Sequence, residues 1–548
     1  LLLARRDGAP VLQGPLRPDR LAGDGPPGED PDYLWEEGDD PNALPEQRWG
    51  VIAPQGEDGD RLLALVQPLI EHRHRQQGAP PKIFRAPSAL SPTEALRWRK
   101  RVFEADSGLR SELPRFLLLL GDLDVLPLSL EHAFAGDAFP GRLCFPTDAG
   151  YQSYVAKLLR WEQAREAARG EALLCGVRDG TPATLIGERA LLAPGHDLLE
   201  ESCRNGKLDA AIARLDLGAD PSPDPLFAGV AAPAQPTVLF SVSHGEGAPK
   251  GGWTVDADAR ARQGAMCFGK HGSLTAADLP SRPFLPGGVW CMLACYGAGT
   301  PDASAYHRWL AALAQSGRYM GRPDAVLEAL PRDGARPFIA ALPQAVLANP
   351  DGPLGFIGHI DLAWTYGFQD LDDRVVSRPG RLMATVRGLL RGDRAGVSLR
   401  ELARGVGMAN TEITCLQDQD LDPTGALPPA EQARRAHLWM LRQDLSAYVL
   451  LGDPAARLAL TPRARPSWSL ADAAPAPDPT LHVAMTSAPE VDADALARLE
   501  SQIVRHLAGE PLAELAADAG MSRDALQAAV DAYRTAARAA LARHLAGR

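Results

Sequence analysis

Two short apolar runs, each stopped by a glycine-rich turn, constrain this chain more than any other feature. The first is Thr237-Val238-Leu239-Phe240-Ser241-Val242, followed by Ser243-His244-Gly245. The second is Val289-Trp290-Cys291-Met292-Leu293, followed by Ala294-Cys295-Tyr296-Gly297. Central strands of a parallel sheet are covered on both faces and read as unbroken apolar runs. Chemistry in such sheets gathers beyond the carboxyl ends of the strands. As adjacent parallel strands, the two runs place an imidazole and a thiol side by side at one sheet edge. A thiol and a base to deprotonate it are the minimum for nucleophilic catalysis by cysteine.

The rest of the chain supplies a sheet for these strands. Extended segments at 49–54, 82–85, 115–122, 141–145 and 172–177 alternate with helical patterns at 61–75, 92–104 and 148–169. That alternation predicts an α/β fold, a mostly parallel sheet flanked by helices on both faces. A helix at 190–204, a short helix near 207–214 and a proline-rich connector at 221–236 lead into the histidine strand. Residues 248–286 form a long excursion between the two key strands, with Thr275 capping a short helix. A strand with a polar end follows at 354–364, then a mostly helical region at 379–450, and a closing strand and turn at 448–454.

The domain reading follows. Residues 1–47, rich in Pro, Gly and Asp, are a pro-segment with little core, although Tyr33-Leu34-Trp35 can dock on the body. Residues 48–460 hold the sheet, with an N-terminal subdomain at about 48–220 and a core at about 221–460. Residues 461–489 are a linker. Residues 490–548 are Ala-rich and helical, with a helix-turn-helix-like stretch turning at Gly520 and capped at Ser522.

Composition excludes several classes. Net charge is −12 over 548 residues, which argues against a nucleic-acid surface across the whole molecule. The tail is acidic before residue 534, so a protein-interaction or regulatory module is favoured there over a DNA-binding one. The seven cysteines follow no disulfide framework, which fits a reducing, cytoplasmic setting. No window approaches the ~18 apolar residues of a membrane helix. The chain begins LLLARRD, and three leading leucines are too few for a signal-peptide core. No Cys/His pairs stand at zinc spacing, so no metal and no cofactor are expected. Cys291, in mid-strand, reads as buried structure, and His271, in a Gly-flanked loop with no strand before it, is the weaker base.

Ser243-His244-Gly245 and Ala294-Cys295, fifty-one residues apart, resemble the dyad of the caspase-like cysteine peptidases, which include caspases, separase, gingipains and the bacterial CHAT-domain proteases. Leu118-Leu119-Leu120-Gly121-Asp122, Gly141-Arg142-Leu143 with Trp161-Glu162, Leu274 to Leu279, and Leu451-Gly452-Asp453-Pro454 resemble segments of the gingipain and CHAT branch in the same order. Together these short matches span about 115 to 458. The 248–286 excursion departs from the pattern.

The resemblance implies a cysteine endopeptidase acting on protein or peptide substrates through a thioester. Cys295 is the implied nucleophile and His244 the base, with the Gly245 and Cys295 N–H groups as the oxyanion hole. In gingipains an acid in the loop after the strand preceding the histidine binds a basic side chain. Asp179 and Glu188 hold that place here, which implies cleavage after Arg or Lys. Asp361 and Trp364 occupy the position of a pocket wall. The implied role is a regulated bacterial protease, controlled by its N-terminal segment or tail, that activates a partner such as a gasdermin-like pore former. Two alternatives stay open: a catalytically inert scaffold of the same fold, and a DNA-binding regulator working through residues 511–535.

Overall fold

The computed structural model describes residues 40–461, apart from 106–111, 250–251, 281, 317–322, 332–333, 371–374 and 421–428, together with residues 526–527. The chain divides into two compact units, 1–463 and 464–548. The expectations for most of the pro-segment, for the linker and for the helix-turn-helix-like module lie outside the described residues.

Ten strands form the main sheet of the first unit. They are β1 (Trp49–Pro54), β2 (Lys82–Ala86), β3 (Phe116–Leu120), β4 (Phe139–Leu143), β5 (Gly170–Gly176), β6 (Ala210–Leu215), β7 (Thr237–Val242), β8 (Val289–Leu293), β9 (Gly355–His359) and β10 (Tyr448–Gly452). Their order across the sheet is β2-β1-β3-β4-β10-β9-β8-β7-β5-β6. Every neighbouring pair is parallel except β9–β10. The sheet is therefore two parallel halves running in opposite directions and joined by one antiparallel seam.

The halves part between β4 and β5, not near residue 220, because β5 and β6 pair into the half that holds β7. The segment expected as a short helix near 207–214 contributes β6. Its Ala-rich sequence favours a helix in isolation, but a six-residue register with β5 overrides that preference. The proline-rich connector contains a helix, Pro223–Val230, and the loop at 178–188 contains another, Pro182–Gly187.

Side chains alternate across the sheet, as the strand period requires. Trp290 and Met292 pack on one face with Phe356 and Leu451, while Val289, Cys291 and Leu293 pack on the other with Phe240, Ile357 and Leu450. Helix Asp148–Glu162 belongs to the first face and helix Gly380–Leu390 to the second. Behind the first face, fully buried Arg73 binds Asp453 and Glu162, and the Trp49 indole N–H donates to Asp453 at 2.8 Å. Tyr154 donates to the Leu354 carbonyl at 2.8 Å and accepts from Asp453 N–H at 2.7 Å. This cluster ties β1, two helices and the closing turn after β10 together.

Candidate active site

β7 and β8 are hydrogen-bonded neighbours, with Val242 opposite Leu293. Two residues further on, His244 and Cys295 leave adjacent strand ends at the same level. The ladder continues one step beyond the strands, where Ser243 N–H donates to the Leu293 carbonyl at 3.2 Å. A Cβ added at Gly245 would lie 1.8 Å from the Cys295 carbonyl oxygen, so only glycine lets the two backbones lie this close.

The turn after Cys295 is held open by its neighbours. Tyr296 adopts φ 57°, the left-handed region that costs a non-glycine residue about 1–2 kcal/mol. Its N–H donates to the Asp361 carbonyl at 2.8 Å, and Ala298 N–H donates to the His359 carbonyl at 3.0 Å. Asp361 itself sits at φ 105°. Two strained residues thus face each other across the turn that carries the thiol, a pattern that clusters at functional sites.

The imidazole has a specific partner set. Nε2 of His244 is 2.8 Å from Thr181 Oγ1 and 3.7 Å from Asp179 Oδ2. Thr181 Oγ1 donates its hydrogen to Asp179 Oδ1 at 2.8 Å, so it must accept from His244 Nε2–H. That assigns a proton to Nε2 by the network, so in the neutral ring Nδ1 is the accepting nitrogen. Burial pushes the Asp179 carboxyl up, but hydrogen bonds from Thr181 and Thr184 and the nearby imidazole outweigh it and hold the group below the usual carboxylate range. Asp179 is therefore a fixed negative charge behind the ring.

The thiol is shielded. Cys295 Sγ lies 3.8 Å from the Ala363 carbonyl. Burial pushes its pKa up to about 11; the Ala363 contact opposes the shift, and the Asp361 and Asp444 charges add to it. Among the described residues no hydrogen bond joins this thiol to His244. The backbone N–H groups of Gly245 and Cys295 donate to no backbone carbonyl among the described residues.

The other residues singled out from the sequence have different places. Glu188 accepts from Arg214 at 2.6 Å and is neutralised there. Asp361 is buried, and its carboxylate is taken by Ser304 Oγ at 2.8 Å, Ala305 N–H at 2.9 Å and Leu362 N–H at 2.8 Å. It braces the turn. Trp364 follows Ala363, packs its ring on Tyr306 and Trp309, and keeps a buried indole N–H with no partner among the described residues. Cys291 is buried in mid-strand, and His271 is paired with Asp220 at 2.7 Å, on the excursion.

Sequence reasoning did not single out Thr181, Thr184 or Asp444. A signal for the first existed: Asp179 capping Thr181 N–H just before Pro182 is a helix start, and Pro at the first helical turn marks it. Asp444 had no such signal. It is fully buried on helix Pro429–Ser446 and accepts from Trp364 N–H at 2.9 Å and Gly367 N–H at 2.6 Å. It fixes the loop whose Ala363 carbonyl meets the thiol. Among the described residues no group of three His, Cys, Asp or Glu side chains is placed to hold a metal. No helix among them is long and apolar enough to cross a membrane.

The sequence matches no protein-family model and no curated protein. Several solved structures resemble this chain at low identity. The Arg-specific cysteine proteinase gingipain R is 10% identical, with 75% of this chain and 78% of that chain covered and a TM-score of 0.39. The complex of the Porphyromonas gingivalis RgpB pro- and mature domains is 10% identical over 75% of this chain and 79% of that chain, with a TM-score of 0.41. The Saccharomyces cerevisiae separase–securin complex is 9% identical over 62% of this chain and 16% of that chain, with a TM-score of 0.23.

Proposed function

We propose that the chain is a cysteine endopeptidase in which Cys295 attacks the peptide carbonyl and His244 shuttles the proton. One observation carries this reading. His244 and Cys295 stand in register at the ends of paired parallel strands, with the imidazole held in one tautomer by Thr181 and Asp179. In that tautomer Nδ1 takes the thiol proton as the carbonyl is attacked and returns it to the leaving amine. Sulfur forms a thioester to the acyl part, the amine departs, and water then hydrolyses the thioester. The backbone N–H groups of Gly245 and Cys295 are free to receive the developing oxyanion.

The residue before the cut is apolar in this proposal rather than Arg or Lys. Asp179 serves the imidazole, Glu188 serves Arg214 and Asp361 serves Ser304, so none of the three offers a free carboxylate to a basic side chain. The loop beside the thiol carries Trp364, packed with Tyr306 and Trp309. Activation of a bacterial partner by limited cleavage is the role that the sequence motifs suggest. An inert scaffold is the second reading, favoured by the high thiol pKa and by the lack of a hydrogen bond from the thiol to His244.

Fluorogenic peptides with Leu, Phe, Arg, Lys or Asp before the cut test both parts. The expected result is turnover of the Leu and Phe peptides and its loss in Cys295→Ala and His244→Ala. Turnover of the Arg peptide alone overturns the apolar preference and keeps the dyad. Turnover that survives Cys295→Ala overturns the dyad.

A further inference from the structure

A groove of about 720 Å³ lies beside β4 and β10, within one half of the sheet. Its walls are helix Leu128–Phe134, the start of β4, helix Arg400–Asp420 and the end of helix Pro429–Ser446. The floor is apolar, with Leu399, Leu402, Val406 and Leu450. The rim is basic, with Arg115, Arg400, Arg404 and Arg442. The carboxylates on the rim are already paired, Glu131 with Arg142 and Asp137 with Arg99. Arg442 is half-buried and makes no ion pair or hydrogen bond among the described residues. A desolvated cation beside an apolar floor asks for an acidic ligand with an apolar anchor.

The chain itself carries such a ligand. Residues 24–39 hold Asp24, Glu29, Asp30, Asp32, Glu36, Glu37 and Asp39, no Lys or Arg, and the anchor Tyr33-Leu34-Trp35. The described chain starts at Asp40, seven residues before Gln47, which touches the groove's Arg115. Asn42 donates to Asp393 at 2.8 Å and its side-chain oxygen accepts from Arg394 N–H at 2.8 Å, two residues before Gly396 on the groove wall. Arg115, on the rim, donates to Gln47 at 2.7 Å. Tyr33 to Trp35 lie five to seven residues before Asp40, a reach of up to ~17–25 Å in extended chain.

We propose that this groove is the docking site of the chain's own acidic segment, residues 24–39, with Tyr33-Leu34-Trp35 on its apolar floor and the carboxylates on its arginines. The proposal does not rest on the catalytic reading.

Digestion of the full-length chain with a glutamate-specific protease tests it, because Glu29, Glu36 and Glu37 lie in the segment. At low salt, cleavage there should be at least tenfold slower than in a synthetic peptide of residues 24–39. Arg442→Glu should bring the rate toward that of the peptide, and so should Arg404→Glu, whose side chain is largely exposed and pairs at the surface with Glu401. Salt at 1 M should do the same to the unaltered chain, through screening. A benzophenone side chain at exposed Ala403 should crosslink to residues 24–39 of the same molecule. Cleavage of the unaltered chain at the peptide's rate overturns the proposal. So does protection that ignores both charge reversals, or protection that falls on dilution, which would assign the groove to a second copy.

Discussion

The resting thiol should react as a shielded, un-ionised group, and its alkylation kinetics can be worked out beforehand. Burial raises the Cys295 pKa to about 11. At pH 7.5 roughly 3 in 10,000 molecules then carry thiolate, against about one in ten for an ordinary thiol near pKa 8.5. That deficit is about 300-fold. A more basic thiolate is intrinsically more nucleophilic, and a Brønsted slope near 0.45 returns about 13-fold. Iodoacetamide should therefore label Cys295 on the order of 20-fold more slowly than the thiol of a short reference peptide in the same tube, before any steric shielding. The Cys295 rate should climb about tenfold per pH unit up to pH 10. His244→Ala should change it by less than about threefold, because the imidazole makes no hydrogen bond to the thiol. Peptide hydrolysis in the same variant should disappear. Mass spectrometry of the two cysteine-containing peptides after timed labelling supplies both rates. A plateau of labelling below pH 7 that vanishes in His244→Ala would refute the reasoning, since it reveals a preformed thiolate–imidazolium pair.

Gly245→Ala places a Cβ 1.8 Å from the Cys295 carbonyl oxygen, so the strand ends must part by about 1.6 Å to reach an ordinary 3.4 Å contact. Displacements of that size cost ~100-fold in rate, and kcat/KM on the best peptide should fall by at least that factor. Asp179→Asn removes the charge behind the ring and should cut kcat by ~100-fold or more with KM little changed, while Thr181→Val, which removes the acceptor of Nε2–H, should show a smaller loss of the same kind. Arg73→Met leaves the buried Asp453 and Glu162 carboxylates without their cation and should cost about 3–5 kcal/mol in urea unfolding. Burial raises the Glu162 pKa, but Arg73 and His72 outweigh it and hold the group below the carboxylate range. Its stabilisation is therefore present above the usual carboxylate pKa and is lost as pH falls through the depressed value. Arg73→Met should move acid unfolding, followed by circular dichroism, to higher pH.

The parts of the fold legible in the sequence were those where one local signal decides. β3, β7 and β8 are apolar runs bounded by turns, and burial on both faces leaves such runs little alternative. The adjacency of the strand ends that carry His244 and Cys295 followed from the same pattern, because β7 and β8 are paired. β6 was not legible: Ala210 to Ala213 favours a helix, and only the long-range register with β5 makes it a strand. The hydrogen-bond partners of the loop acids were not legible for a related reason. Asp179, Glu188 and Asp361 are all acids in loops near the site, and sequence cannot tell which partner reaches each first. Thr181 takes Asp179 to the imidazole, Arg214 takes Glu188 to a sheet edge, and Ser304 takes Asp361 into the interior. Asp444 acts from a helix 149 residues beyond Cys295 through backbone N–H groups, which no motif records.

Direct capture of the acyl-enzyme bears most closely on the central claim. The best peptide of the panel, as an activated ester, would be mixed with enzyme, quenched in acid within milliseconds and analysed by mass spectrometry. The expected result is a mass increase equal to the acyl group, released by hydroxylamine and mapped to Cys295, absent in Cys295→Ala and formed far more slowly in His244→Ala. An adduct on any other residue, or full turnover by Cys295→Ala, would contradict it.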